Sequence, residues 1–356
     1  MLFEPLKHPR LALQNRIVMA PLTRSRAIDN IPNSIMADYY GQRASAGLII
    51  TEGTSPSPDG LGYARIPGLF NAEHVAGWKL STDVAHRGGA KIFIQLMHCG
   101  RVTGTANLPA GARTVGPTDE VLEGEMYTDV AGMQPHATPH ALTEAEIPAV
   151  IAEYVSAAKL AIEAGFDGIE LHAANGYLLE QFLNANINTR IDGYGGSAAA
   201  RNRLVLETAR ACVAAIGADK VGIRVSPYGV FNGTGEFDGV AEQYIELAKG
   251  LSEIGLVYLH LVDHSAMGAP EVPAVFKAHL RAAFKGLFIA SGGLEAASAE
   301  AILQAGKADL VAFGRPFISN PDLPRRMQQS LALAEPDANT FYTPGPVGYS
   351  DYPAAA

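Results

Sequence analysis

Three polar residues in the run His172-Ala173-Ala174-Asn175-Gly176-Tyr177 are of the types that oxyanion and acid–base chemistry uses. The run continues a short apolar segment that is typical of a buried strand. Histidine and asparagine three residues apart at a strand end can direct two donors at one carbonyl or nitro oxygen and stabilise negative charge there. Tyr177, just beyond them, could supply a proton. A structural histidine bonded to a neighbouring strand is the alternative, because a His-x-x-Asn pair by itself is not specific.

Two glycine-containing turns indicate a phosphate site. Gly292-Gly293 and Gly314-Arg315 follow the seventh and eighth apolar runs of the chain. In an α/β barrel the loops after these two strands commonly bind phosphate. Glycine lets backbone N–H groups approach the ligand closely, and arginine adds a charged bidentate contact. Two ordinary turns with a solvated arginine are the alternative interpretation.

Metal and thiol chemistry have weaker support. His260, Asp263 and His264 carry metal-ligating groups, but His260 falls within an apolar run and a third ligand is not evident, so the sequence predicts no metal site. Cys212 falls in the apolar stripe of a predicted helix and is expected in the core. Cys99 follows a strand end near the site, but it has no activating neighbour and is not predicted to be a nucleophile.

Eight short runs rich in Val, Ile and Leu must position these residues. Each ends in Gly, Pro or polar residues, as buried parallel strands do. Helical patterns separate most of them, at 151–164, 204–216, 241–254 and 296–305. Before the first helix, a capping-box pattern at 143–146 competes with a start that places proline in the first turn. The eight runs are 16–22, 48–53, 91–98, 168–174, 221–227, 258–263, 286–292 and 309–315.

This alternation predicts an α/β fold, a (β/α)8 TIM barrel that forms one domain over residues 1–356. A doubly wound sheet is the alternative, but it would have a glycine-rich phosphate turn after the first strand, where the sequence reads Ala20-Pro21-Leu22-Thr23. A long loop insertion, residues 99–142, follows the third strand and is interpreted either as a lid or as a surface loop. Residues 336–356 form a proline-rich tail without helical periodicity.

The composition excludes several classes of protein. An apolar fraction of 48% with 18% charged residues excludes intrinsic disorder. The formal net charge of −9 gives no basic surface for nucleic acid. Two cysteines cannot build a disulfide scaffold or an iron–sulfur cluster. With neither a signal-peptide pattern nor an apolar run long enough for a membrane helix, the sequence predicts a cytoplasmic protein that does not bind membranes.

Taken in order, nine motifs resemble those of the Old Yellow Enzyme family of FMN-dependent ene-reductases. The resemblance extends from Leu2 to Pro353, nearly the whole chain, and it rests on the order and spacing of the motifs. The motifs are 19–24 (MAPLTR), 50–53 (ITEG), 95–96 (QL), 164–168 (AGFDG), 172–178 (HAANGYL), 194–197 (YGGS), 224–227 (RVSP), 313–316 (FGRP) and 348–353 (GYSDYP).

The resemblance implies that the protein holds FMN noncovalently and reduces it with NADPH or NADH. It places Thr23 at the O4 side of the flavin, where the hydroxyl tunes the potential. It places Gln95 and Arg224 at the pyrimidine edge, with Arg224 facing the charge that appears on reduction. The remaining implied contacts are the ring-lining backbone of Pro21, Leu22 and Gly53, and a phosphate site at Gly292, Gly293, Gly314 and Arg315.

The resemblance also implies a substrate site above the flavin. His172 and Asn175 would hold the activating oxygen, and Tyr177 would protonate Cα after hydride reaches Cβ. Tyr349 would close the other side of the pocket. Met97 stands where many members have Trp, so its smaller, flexible side chain would change how the substrate sits.

The implied activity is reduction of small-molecule activated alkenes, such as enones, enals, maleimides and nitroalkenes. The run Ala198-Ala199-Ala200-Arg201 departs from the Glu-Asn-Arg that the family usually has, and no motif decides between NADPH and NADH or assigns an oligomeric state. An FMN reductase of nitrate esters, nitro compounds or quinones is the main alternative. A non-catalytic flavoprotein is a further alternative, but it would have no use for His172, Asn175 and Tyr177 as a substrate clamp, a set of residues that holds the substrate. A metal-dependent lyase would be colourless.

Overall fold

Eight parallel strands close into a barrel in the computed structural model, which describes residues 1–355. Their order around the barrel is β1-β12-β11-β10-β9-β8-β3-β2. This closed parallel arrangement confirms the TIM barrel and excludes the doubly wound sheet. The barrel strands are β1 (Ile17–Met19), β2 (Leu48–Ile50), β3 (Lys91–Leu96), β8 (Gly168–Ala173), β9 (Val221–Val225), β10 (Tyr258–Val262), β11 (Leu287–Ser291) and β12 (Leu310–Phe313).

Helices surround the barrel, and four short strands lie outside it. The outer strands are β4 (Val115–Gly116), β5 (Glu125–Thr128), β6 (Gly132–Pro135) and β7 (His140–Ala141). The helices are α1 (Ser34–Gln42), α2 (Ala72–Arg87), α3 (Ile147–Glu163), α4 (Leu178–Leu183), α5 (Ala198–Ile216), α6 (Val240–Ile254), α7 (Ala274–Ala283), α8 (Ala296–Gln304), α9 (Arg315–Ser319) and α10 (Leu323–Gln328). Within residues 1–355, none of the helices is long and apolar enough to cross a membrane.

Alternating strand residues build two apolar layers. Side chains on one face, among them Val18, Phe93 and Tyr258, form a compact cluster with their counterparts on the other strands. Residues on the opposite face join the larger core beneath the helices. Gly222 makes room for the inner cluster, because a Cβ there would lie 2.2 Å from the Tyr258 ring. Filling by large side chains makes the interior a packed core, so the space for a ligand lies at the barrel's end.

All eight predicted strands are present, each within its predicted run but one to four residues shorter. The chain stays buried past several strand ends, as at Thr51, Glu52 and Ser226, so burial alone does not mark the end of pairing. Helix α3 begins at Ile147 with Pro148 in its first turn, as the second interpretation predicted. Glu146 still bonds back to the Thr143 N–H at 2.8 Å, but it does so before the helix.

Helix α5 starts six residues earlier than the predicted 204. Ser197 caps it by accepting a hydrogen bond from the Ala200 N–H at 3.2 Å. The three alanines after the cap lack an apolar stripe, yet alanine is the strongest helix former, so propensity extends the helix where periodicity gave no signal. Arg201 then bonds Gln243 at 2.8 Å, tying α5 to α6.

The insertion after β3 is an ordered structure with its own hairpin, formed by β5 and β6. Arg113 joins it to the barrel, since its backbone N–H donates to Asp59 at 2.8 Å and its guanidinium lies 3.3 Å from Glu146. Arg190 donates to the Pro117 carbonyl at 2.8 Å. These contacts fix the insertion relative to the carboxyl ends of the strands.

Buried arginines hold the C-terminal tail. The Arg26 side chain, 2% exposed, donates to the carbonyls of Thr340, Phe341 and Val347 at 2.7 to 3.0 Å and to that of Gly345 at 3.2 Å. One guanidinium thus satisfies four tail carbonyls that regular secondary structure leaves unpaired.

We predict that Arg26→Ala lowers the free energy of unfolding by about 3 kcal/mol, because it removes the buried, charged donor that four tail carbonyls share. Urea denaturation would measure the loss, and limited proteolysis should cut the tail sooner. Lys79→Ala is the control, since Lys79 and Asp83 form an exposed pair at 3.4 Å and its loss should cost less than about 0.5 kcal/mol. Equal losses in the two variants would contradict the anchoring role.

Candidate active site

The carboxyl ends of the barrel strands open into one cavity of about 1430 Å³. Met126 and His136 of the insertion and Tyr342 of the tail also line this cavity. The insertion therefore contributes part of the cavity wall. Every predicted site residue except Tyr349 lines the cavity, namely Pro21, Leu22, Thr23, Gly53, Gln95, Met97, His172, Asn175, Tyr177, Arg224, Gly292, Gly293, Gly314 and Arg315.

Strand register brings the polar residues of the cavity floor together. Gln95 on β3 lies opposite Glu170 on β8, and His172 lies opposite Arg224 on β9. Arg224 is in turn opposite His260 on β10. Because Glu170 and His172 are two residues apart, their side chains point to the same face of the sheet. Four neighbouring strands thus direct polar groups into one end of an otherwise apolar barrel.

His172 is buried and neutral. Its Nδ1 accepts a hydrogen bond from the Ala174 N–H at 3.3 Å, so the ring proton is on Nε2. Burial, with help from the nearby charge of Arg224, lowers the pKa of His172 well below its ordinary value. The Nε2–H is therefore a neutral donor on the cavity wall.

Asn175 is held by its backbone, which leaves its side chain available. The backbone is in the left-handed region, with φ of 59°. Its N–H donates to the Ser226 hydroxyl at 2.8 Å, and its carbonyl accepts from Asn232 Nδ2 at 2.7 Å. Within residues 1–355 the side-chain Nδ2, which is the donor, makes no hydrogen bond, and the buried Oδ1 has no partner either. An unpaired amide at this position is suited to a ligand, since buried polar groups are normally satisfied.

Glu180 supports the loop that carries Asn175. Its carboxyl group accepts from the Gly176 N–H at 2.6 Å, from the Ser226 hydroxyl at 2.9 Å and from the Tyr244 hydroxyl at 3.2 Å. Burial raises the pKa of Glu180 to about 7, against the opposing effect of these hydrogen bonds. No motif in the sequence identified this supporting role.

Tyr177 shares a hydrogen bond with Tyr63, their hydroxyl oxygens being 3.1 Å apart. Burial is the main cause that raises the pKa of Tyr177 well above its ordinary value, and it raises the pKa of Tyr63 as well. Both phenols are therefore protonated at neutral pH. The Tyr177 ring also meets the His172 ring edge-on, with centroids 4.8 Å apart. Sequence reasoning missed Tyr63, which lies in a loop after β2 without a recognisable motif.

The opposite end of the cavity is built from glycine turns. Gly292 has φ of 136°, and a Cβ there would lie 2.2 Å from the Asp263 carbonyl oxygen. Gly293 is also at positive φ, 62°, so both positions favour glycine. The exposed Arg315 lines the same cavity. Unshielded backbone beside a guanidinium suits a phosphate group.

These residues fit FMN. Arg224 is 8% exposed and lines the cavity, and its buried Nε has no hydrogen-bond partner within the described chain. Gln95 presents an amide nearby on the same wall. Together with the glycine turns, they offer polar contacts for a pyrimidine edge at one end of the cavity and for a phosphate at the other.

Tyr349 is not part of the cavity, and the prediction that it closes the pocket is wrong. It is fully buried and stacks on Tyr39, with centroids 4.1 Å apart, while the Arg26 guanidinium lies 4.8 Å from its ring centre. Because the buried arginines hold the preceding segment against the barrel mouth, Phe341 and Tyr342 line the cavity instead.

The three residues considered as metal ligands have other partners. His260 contacts Glu170 at 2.9 Å, and Asp263 forms an ion pair with Lys277 at 2.6 Å. His264 lines the cavity and meets the Phe231 ring edge-on. Residues 1–355 contain no group of three His, Cys, Asp or Glu residues that could hold a metal ion.

The two cysteines and Met97 have different surroundings. Cys212 is fully buried in the main core, as predicted. Cys99 is also fully buried and lies outside the cavity wall, and burial raises the pKa of its thiol, so it is a poor nucleophile. Met97 lines the cavity and lies against Gly53, where a Cβ would come 2.4 Å from its sulfur.

Comparison with known proteins agrees with this geometry. Residues 1–334 match the model of the NADH:flavin oxidoreductase / NADH oxidase family. A chanoclavine-I aldehyde reductase of Penicillium roqueforti is 45% identical, over 100% of this chain and 96% of its own length. A 12-oxophytodienoate reductase of Oryza sativa subsp. japonica is 41% identical, over 99% of this chain and 92% of its own.

Solved structures are also similar to this chain over nearly its whole length. Morphinone reductase superposes with a TM-score of 0.95 at 42% identity, covering 99% of this chain and 96% of that one. The Old Yellow Enzyme homologue of Zymomonas mobilis gives a TM-score of 0.94 at 38% identity, covering 99% of both chains. The chain therefore belongs to the NADH:flavin oxidoreductase / NADH oxidase family, the Old Yellow Enzyme family of FMN-dependent NAD(P)H oxidoreductases.

Proposed function

We propose that this protein reduces the activated C=C bond of small enones, enals, maleimides or nitroalkenes, with His172, Asn175 and Tyr177 acting on the substrate. The observation that carries the proposal is the convergence of a neutral imidazole donor, an unpaired amide and a protonated phenol on one cavity wall. FMN, when bound, supplies the hydride chemistry, taking hydride from NAD(P)H and delivering it to Cβ of the alkene.

The residues at the two ends of the cavity would contact different parts of FMN. Gln95 and Arg224 would hold the pyrimidine edge, where the guanidinium offsets negative charge. Thr23 lines the cavity and would bond the O4 side of the ring. Backbone at Pro21, Leu22 and Gly53 would line the ring, and the phosphate would lie at Gly292, Gly293, Gly314 and Arg315.

The substrate clamp follows from the neutral state of His172. An alkene conjugated to a carbonyl or nitro group gains negative charge on that oxygen as hydride reaches Cβ. The His172 Nε2–H and the Asn175 Nδ2–H would donate to this oxygen. Their fixed positions mean that little reorganisation is needed when the charge develops, which is how oxyanion sites accelerate reactions.

Tyr177 would deliver the proton to Cα. The raised pKa keeps its hydroxyl protonated at neutral pH, so the group starts in the state that a general acid requires. Tyr63 shares a hydrogen bond with that hydroxyl and orients it. Met97 and Tyr342 line the same cavity and would shape the space around the alkene.

We further propose that the chain acts as a single FMN-binding domain in the cytoplasm and does not bind nucleic acid. Two buried cysteines without a disulfide are typical of a reducing compartment. A net charge of −9 disfavours contact with phosphate backbones.

The proposed activity predicts a colour cycle. Anaerobic protein with FMN should lose its visible absorption when NADPH or NADH is added and regain it when 2-cyclohexenone follows. Bleaching without recovery would contradict alkene reduction and direct the search to nitro, nitrate-ester or quinone acceptors. Failure to bind FMN would contradict the cofactor assignment.

His172→Ala should slow reoxidation of the reduced enzyme by 2-cyclohexenone roughly 10²–10³-fold, the usual loss for one oxyanion donor. Anaerobic stopped-flow absorbance would measure the rate. His86→Ala is the control, because His86 lies on the outer helix α2 and contacts Asp167 instead of the cavity. An unchanged rate in His172→Ala would exclude the clamp role.

Tyr177→Phe should slow 2-cyclohexenone reduction by about 10²-fold, as expected for loss of a general acid. A nitroalkene should be spared, because its reduced form is a stable nitronate anion that needs no immediate proton. Tyr194→Phe controls for loss of a phenol, since Tyr194 bonds Glu207 away from the cavity. Equal slowing of both acceptors would argue against proton delivery by Tyr177.

A further inference from the structure

Glu170 is a fully buried carboxyl group for which the proposed chemistry has no role so far. It lies on β8 two residues before His172, on the same face of the strand. It does not line the cavity itself, but its neighbours Gln95 and Arg224 do. Burying an acidic side chain among barrel strands is costly unless its oxygens are hydrogen-bonded and a cation lies near. The contacts of Glu170 therefore indicate its role in the site.

The first contact fixes the orientation of an amide. Gln95 Nε2 lies 2.8 Å from Glu170 Oε1. A carboxylate only accepts hydrogen bonds, so the NH2 end of Gln95 must face Glu170. The Gln95 carbonyl oxygen is then the amide atom left for an imide N–H, which is the donor that a flavin pyrimidine carries. An apolar residue at position 170 would leave the amide free to turn over.

The second contact satisfies the other oxygen of the Glu170 carboxylate. His260 Nδ1 lies 2.9 Å from Glu170 Oε2, and His260 Nε2 lies 3.2 Å from the Ser291 hydroxyl. Burial is the main cause that lowers the pKa of His260, so its ring is neutral. A neutral ring must donate through Nδ1, because the carboxylate only accepts, and its Nε2 then faces the Ser291 hydroxyl as an acceptor. Each Glu170 oxygen thus receives one donor.

Glu170 also interacts electrostatically with Arg224. Glu170 lies opposite Gly222 on β9, two residues before Arg224 and therefore on the same face of the sheet. Burial lowers the pKa of Arg224, and the negative charge of Glu170 opposes that effect. The other titratable side chains around Arg224 are held neutral mainly by burial, which lowers the pKa of the histidines and raises the pKa of the tyrosines. They are His172, His260, His264, Tyr177 and Tyr258. Glu170 is therefore the negative charge that balances Arg224 inside the barrel.

We propose that Glu170 is a positioning residue that fixes the Gln95 amide for the flavin pyrimidine and offsets the charge of Arg224, thereby lowering the FMN reduction potential. This inference rests on the proposed placement of FMN against Gln95 and Arg224. Its two consequences, amide orientation and charge balance, can be separated by substitution.

Glu170→Gln removes the charge. The Arg224 cation then faces the flavin unbalanced and favours the reduced form, which carries more negative charge. We expect the ratio of reduced to oxidised FMN at a fixed potential to rise about tenfold, which is about 30 mV for a two-electron couple. Spectroelectrochemical titration of bound FMN measures this without turnover. Glu180→Gln is the matched control at about pH 9, where a carboxyl group with a pKa of about 7 is ionised. Glu180 is equally buried but contacts Gly176, Ser226 and Tyr244, so its replacement should leave the potential unchanged.

Glu170→Asp keeps the charge but shortens the side chain by one methylene, so the carboxylate no longer reaches Gln95. We expect the potential to stay close to the wild-type value while the Kd for FMN, measured by flavin fluorescence quenching, rises about tenfold. If Glu170→Gln does not fold, as judged by circular dichroism, Glu170→Asp alone tests the positioning role. An unchanged Kd in that variant would overturn the positioning role.

Two results separate this inference from the proposed function. Gln95→Leu should weaken FMN binding in any case, so wild-type affinity in that variant would contradict the placement of FMN. Weakened binding in Gln95→Leu together with an unchanged potential in Glu170→Gln would leave that placement intact and overturn the role of Glu170. An equal shift in Glu170→Gln and Glu180→Gln would also overturn it.

Discussion

The pairing of β8 with β3 and β9 is the interaction on which the site depends. It sets Gln95 opposite Glu170 and His172 opposite Arg224, at the carboxyl end of a barrel whose interior is otherwise apolar. A slip of one residue would turn these side chains outward and bring apolar ones into their place. Because the barrel is closed, all eight strands share this constraint, and no edge strand can shift independently.

Burial then sets the charge state of each functional group. The same desolvation that keeps His172 neutral keeps Tyr177 protonated, since both charged forms are disfavoured away from water. For Arg224, the negative charge of Glu170 opposes the effect of burial. The site thereby combines a neutral donor and a proton source with one fixed cation. Such a division suits a reaction in which negative charge appears briefly on a ligand.

The outer walls of the cavity come from segments remote in sequence. The insertion between β3 and α3 and the tail after α10 both reach the barrel mouth. Hydrogen bonds from buried arginines to tail carbonyls substitute there for regular secondary structure. A substrate in the cavity would thus contact rigid strand ends below and irregular segments above, which is the usual arrangement for a barrel enzyme.

The sequence by itself determined the eight strands, the closed α/β barrel and fourteen residues of the cavity wall, because strand periodicity and the motifs at strand ends are local patterns. The family motifs added the cofactor. Tertiary structure alone decided that Tyr342 rather than Tyr349 faces the cavity, since buried arginines far away in sequence orient the tail. It also decided the partnership of Tyr63 with Tyr177 and of Glu170 with Gln95. Hydrogen bonds between distant residues, and the desolvation that sets pKa values, exist only after the chain has closed around them.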